Sequence, residues 1–241
     1  MRPVLLLARR ELAAYLNTAW GYAIMAAVLV IDGLLYNAFA VSDAPRFSAD
    51  VLEDFFFYSS GTTMIAGVLL TMRLLAEERQ NGTIVVLETA PVSETQVVLG
   101  KFLGAYGFLA LVTLATLYMP GLIFVNGKVS WAQIGAGYTG LLMLGASTVA
   151  IGTFGSSLAK NQLVAAVIGG ALLVLMLLGW LVSKIADPPV SDVLSYIALF
   201  DRHFQPFMRG RVNTESLIFY GSVTFGFLML SVRALQWRRM Q

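Results

Sequence analysis

Residues 76–102 read AEERQNGTIVVLETAPVSETQVVLGKF, a charged and polar stretch set between two long apolar runs. Residues 55–72 (FFFYSSGTTMIAGVLLTM) precede it, and residues 102–125 (FLGAYGFLALVTLATLYMPGLIFV) follow it. A membrane-spanning helix needs about 20 mostly apolar residues at a rise of ~1.5 Å each. Both flanks approach or exceed that length, so the quoted stretch reads as the connection between two spans.

Working outward, the chain offers six candidate spans, near residues 19–40, 55–75, 102–125, 132–158, 162–183 and 216–236. Composition agrees over the whole length. Only 12% of the 241 residues are charged and 58% are apolar, with a mean hydropathy of +0.75. A soluble domain carries about 25% charged residues, so the expectation is an all-α integral membrane protein rather than an anchored soluble domain. There are no cysteines, which excludes disulfide frameworks, thiolate metal sites and thiol catalysis. The single histidine, His203, excludes a His-rich metal site. A net charge of +2 without a basic run of interleaved aromatics excludes a nucleic-acid partner.

Charge sets the orientation. An even number of spans puts both termini on one side. With that side cytoplasmic, it holds Arg2, Arg9, Arg10, Arg73, Arg79, Lys101, Lys160, Arg233, Arg238 and Arg239. The other side keeps Arg46, Lys128, Lys184, Arg202, Arg209 and Arg211, so ten basic residues stand against six, as the positive-inside rule requires. The loop at 41–54 is acidic (Asp43, Asp50, Glu53, Asp54). Residues 1–18 place Val4, Leu5, Ala8, Leu12, Tyr15 and Leu16 at three-and-four spacing behind Pro3, which predicts an amphipathic helix on the cytoplasmic face.

Residues 76–101 are then cytoplasmic. Asn81-Gly82 signals a turn, and Thr83 is placed to cap a short apolar helix over Ile84-Val85-Val86-Leu87. Pro91 ends that helix, and Ser93-Glu94-Thr95-Gln96 spells a capping box for the helix entering span three. The result is a short helix parallel to the membrane, tied to spans two and three, a form suited to transmitting a push. Read from the residues alone, an ordinary inter-helix loop with surface charges is the alternative.

The pattern Glu78-x-x-x-Gly82-Thr83, Leu87-Glu88, Ala90-Pro91-Val92-Ser93 and Val98-Leu99-Gly100-Lys101 resembles the cytoplasmic signature of ABC-2 type transporter permeases. Arg9-Arg10-Glu11-Leu12 with Tyr15-Leu16-Asn17 is similar to the start of the gliding-motility-type branch. His203-Phe204, Phe207, Arg209-Gly210, Tyr220 and Trp237-Arg238-Arg239 resemble that branch and its relatives in copper-site maturation. The resemblance implies a fold like that of type V ABC exporters and a coupling helix between spans two and three. It implies docking on a separate ATP-binding subunit through Glu77, Glu78, Arg79, Gly82, Thr83, Ile84, Leu87, Glu88 and Pro91. It further implies two ATP-binding subunits, a second permease chain and a bacterial inner membrane. An extracytoplasmic auxiliary protein is a further expected partner.

The chain itself carries no ATPase signature. A phosphate-binding loop needs a preceding Gly-rich turn and Ser or Thr after Gly-Lys, whereas Gly100-Lys101 is followed by Phe102 and Gly127-Lys128 by Val129. ATP and Mg are therefore expected on the partner, and no cofactor or catalytic residue in this chain.

Asp32 lies near the middle of span one. An ionisable group at that depth costs about 2.5–3.5 kcal/mol on insertion scales, so it marks either a pathway position or a carboxyl bonded to Tyr36, Asn37 or a neighbouring helix. The spacings Ala136–Gly140, Thr148–Gly152 and Gly152–Ser156 in span four, with Gly169-Gly170 in span five, predict close helix approach. Pro120 predicts a kink. Residues 184–215 are too long for a turn and predict short helices on the outer mouth. His203 there reads as a hydrogen-bonded residue rather than a metal ligand. One isolated acid and no internal repeat argue against an ion-coupled transporter. The alternative function is an ATP-driven mechanical or assembly module that acts on an extracytoplasmic protein without moving a substrate.

Overall fold

The computed structural model describes residues 2–40, 47–84, 91–123 and 130–239. Among them there is no strand. Helices α1 (Arg2–Leu16), α2 (Ala19–Leu35), α3 (Ser48–Thr71), α4 (Ala76–Gln80), α5 (Glu94–Ala115) and α6 (Tyr118–Ile123) make the first half. Then come α7 (Trp131–Leu158), α8 (Gln162–Ser183), α9 (Val190–Ile197), α10 (Gln205–Met208) and α11 (Thr214–Arg239). Six helical stretches are long and apolar enough to cross a membrane, and they fall where the six apolar runs predict them.

Helix α7 is the axis of the bundle and packs against α3, α5, α8 and α11. It is also the most buried of the six spans, because its small residues bring neighbours close. A Cβ at Gly140 would stand 2.6 Å from Phe207 Cβ, and one at Gly155 2.7 Å from the Gly169 amide nitrogen. At the end remote from the termini, Phe56 meets Tyr138 edge-on at 5.6 Å and 86°. There Phe204 and Phe207 are fully buried beside Tyr220, whose hydroxyl donates to Leu199 O at 2.7 Å. At the terminal end, Tyr15, Leu70, Val98, Phe102, Ala105 and Phe108 form a second core. Helices α2, α8 and α11 expose Ile31, Leu34, Leu175, Leu178, Phe225 and Met229, the apolar faces that lipid or a second subunit would cover.

Four boundaries differ from the sequence reading. The acidic residues 50–54 are not in a loop: α3 begins at Ser48, and Asp50 sits in its first turn, where the helix dipole favours an anion. The first span closes in a π-helical turn, Tyr36–Ala40. The third span breaks before Pro120 rather than at it. Pro120 has no N–H for the Thr116 carbonyl and its ring crowds that carbonyl, so α5 ends at Ala115 and the chain turns at Thr116 and Leu117. Lastly, α1 packs along α5 with a rotated face. Leu5 and Leu16, from the apolar stripe expected to lie on the membrane, are not covered by the rest of the chain, while Leu7 and Glu11 face α5. The cause is close approach at Gly100 and Gly104, where an added Cβ would lie 2.5 Å from Leu7 Cβ and from Glu11 Cβ respectively.

The segment between α8 and α11 folds as expected into short helices, α9 and α10, laid against the bundle. Gln133 of α7 donates to both Ala49 O and Met208 O at 3.0 Å and fastens this cap to α3 and α7.

Candidate functional site

The sequence reading places the working surface between spans two and three. There α3 unwinds at residues 72–75 and α4 starts, leaving its first amides without helical partners. Ser156 of α7 supplies the acceptor: its Oγ receives N–H groups from Leu75 at 3.0 Å and Ala76 at 3.1 Å. Arg73 grips Glu77 with two bonds, 2.7 and 2.9 Å, a charge-assisted fork within one turn. Arg79 Nη1 donates to Ser157 O at 2.6 Å and Ala159 O at 2.9 Å, placing a cation on the carbonyl end of α7. Helix α4 is thus clamped to the axial helix.

Its far end closes on Gly82, whose φ of +71° lies in the left-handed region that glycine adopts without strain. Thr83 donates its hydroxyl back to Glu78 O at 3.3 Å, closing α4 in addition to marking the start of the next turn. Ile84 has helical backbone; the rest of the expected short helix, with Leu87 and Glu88, lies outside the described residues. Description resumes at Pro91, which is exposed, and Ser93 and Gln96 form the predicted capping box reciprocally at 3.1 and 3.3 Å.

Glu78 turns inward. Its Oε1 lies 2.8 Å from Lys101 Nζ of α5, and Lys101 lies 2.7 Å from Glu11 Oε1 of α1. Arg10 adds a longer contact to Glu78 at 3.8 Å. Lys101 is only 2% exposed, so α1, α4 and α5 meet at one buried ammonium held by two carboxylates. Glu77, Glu78 and Arg79, expected to meet charges on a partner, each hold an ion pair or hydrogen bonds within the chain. Among the described residues here, Gln80, Asn81, Gly82 and Thr83 are exposed and Ile84 is half-buried.

Lys101, Glu11 and Ser156 are site residues that the sequence reading did not single out. The signal was present: Gly100-Lys101-Phe102-Leu103-Gly104 places a lysine between two small residues that invite another helix.

Asp32 is 4% exposed and accepts from Thr62 Oγ1 of α3 at 2.6 Å, the neighbouring-helix alternative of the sequence reading. The bond holds α2 to α3. Asp32→Asn keeps an acceptor for Thr62 and removes a buried charge, so we expect the melting midpoint of the purified chain to stay level or rise. Asp32→Ala loses the acceptor and is expected to cost about 1 kcal/mol, read as a lowered midpoint. His203 is fully buried, stacked 3.7 Å over Phe219, with Nε2 3.0 Å from Tyr196 O. Burial pushes its pKa below the ordinary histidine value.

A bundle that is all-helical among the described residues, with six apolar helices long enough to cross a membrane, defines a multi-pass membrane protein. The family model described as ABC-2 family transporter protein matches residues 45–208. The chain belongs to the ABC-2 transporter family, as a membrane subunit of the kind that associates with an ATP-binding subunit. No curated protein matches it.

Proposed function

We propose that residues 76–93 are the docking surface for a separate ATP-binding subunit, and that ATP-driven movement of this surface drives the permease. The supporting observation is the Lys101 cluster. A push on residues 82–91 reaches α3 through the 72–75 turn and α5 through the Ser93 cap. It reaches α1 through Glu78, Lys101 and Glu11. Gly82 and Pro91 set the turns, while Ile84, Leu87 and Glu88 meet the ATPase. Glu77, Glu78 and Arg79 contribute by keeping α4 rigid on the bundle. The working unit has two permease chains and two ATPases, in a bacterial inner membrane with both termini cytoplasmic, the side favoured by ten basic residues against six. ATP and Mg stay on the partner.

A second reading is favoured by one feature. Helix α7 is clamped to α4 at one end by Ser156 and to the α9–α10 cap at the other by Gln133. A rod so anchored also suits delivery of force to an extracytoplasmic protein, as in the gliding-motility and copper-maturation relatives that the sequence resembles.

The absence of native cysteine makes the docking surface directly addressable. With a thiol-to-amine cross-linker in native membranes, single cysteines at Thr83 and Pro91 should join the ATPase, and one at Val193, on α9, should not. Cross-linking from Val193 alone would reject this surface.

A further inference from the structure

The end of the bundle remote from the termini holds a cavity of about 710 Å³, a size typical of sites for small organic molecules. Three parts of the chain wall it: the first turns of α3, the last turns of α8, and residues 200–208. Phe57, Leu177, Phe200 and Met208 supply apolar surface, and Asp50 and Asp201 supply carboxylates. Phe57 and Phe200 form an edge-to-face pair, centroids 5.5 Å apart at 81°.

The lining discriminates between ligand classes. No lysine or arginine is among the described residues that line the cavity. Glu53 also borders it but is held by Arg209 at 2.9 Å. Asp201 accepts from the neutral Gln205 amide at 2.8 Å, which fixes the carboxylate in place, and no cation pairs with it among the described residues. Four of the nine lining residues are acids, Asp50, Glu53, Asp54 and Asp201, so an anion would meet mainly carboxylates. A metal ion is disfavoured too, since among the described residues no three acids or histidines converge closely enough to hold one. A cation with an apolar body satisfies both parts of the lining, because aromatic rings and carboxylates each attract positive charge while the aliphatic wall takes the body.

We propose that this cavity binds a lipophilic organic cation, of the quaternary ammonium or phosphonium type. The site goes beyond the coupling function and its test needs no ATPase, so failure of one leaves the other standing. Tetraphenylphosphonium and tetraphenylborate have nearly the same shape and opposite charge, which makes them the probes. The full chain, reconstituted in lipid nanodiscs, is dialysed to equilibrium against each labelled ion, with empty nanodiscs as the baseline for partition into lipid. Saturable binding of the phosphonium above that baseline is expected, with none for the borate. Asp50→Asn combined with Asp201→Asn is expected to weaken it about tenfold. Phe57→Leu, at a half-exposed position, keeps an apolar side chain but loses the ring, and should weaken it as well. The proposal is overturned if the phosphonium shows no saturable binding. It is equally overturned if the borate binds as well, or if the charge-removing variant binds like the parent.

Discussion

Replacing Lys101 with methionine should lower the melting midpoint of the purified chain sharply, on the scale of the about 3–5 kcal/mol that breaking a buried ion pair costs. The loss would come from the carboxylates rather than from the lysine itself. Glu11 and Glu78 would lose the ammonium between them at the junction of α1, α4 and α5, with only the longer Arg10 contact left to Glu78. Methionine fills nearly the same volume, so packing changes little. The triple variant Lys101→Met, Glu11→Gln, Glu78→Gln removes the stranded charges and should recover most of the midpoint. Recovery would assign the effect to charge; a triple variant as unstable as the single one would assign it to shape. In the assembled complex, the triple variant also separates stability from coupling, because α1 would no longer be tied ionically to α4.

Gly155→Val should also have a large effect, for a different reason. The Cβ of any larger residue at position 155 would stand 2.7 Å from the backbone nitrogen of Gly169 and 2.9 Å from its Cα. A backbone cannot swing aside as a side chain does, so α7 and α8 must separate along their crossing. Overpacking of a tight interior costs about 1–3 kcal/mol, and a helix crossing made of two glycines has no slack to lower that. Expression in the membrane and the midpoint in detergent should both fall. Gly170→Val provides the matched control, since no atom lies within 4 Å of a Cβ there and the change should be tolerated. Equal effects at 155 and 170 would mean that the crossing is not the cause.

The architecture was legible because membrane spans obey a one-dimensional rule. About 20 apolar residues without charge can only be a helix, and six such runs gave six helices. The Ser93–Gln96 capping box was legible for the same reason, being a local pattern with a local partner. What escaped were partners far apart in sequence. Ser156 caps α4 across about 80 positions, and Lys101 finds Glu11 across 90. Charges near residue 78 looked like a solvated surface, since no period in the sequence reveals that a neighbouring helix folds over them. The rotation of α1 was hidden likewise. Its apolar residues form a broad face, and only the glycines of α5 decide which part of that face packs.

If residues 76–93 hold an ATP-binding subunit, the two chains should leave the membrane together. The chain, tagged at its C-terminus, is pulled down from native membranes in a mild detergent beside a variant carrying Ile84→Asp and Leu87→Asp. An ATPase chain should accompany the parent and be absent from a variant that inserts and melts like it. An ATPase retained by the variant, or missing from the parent in several detergents, would contradict the account.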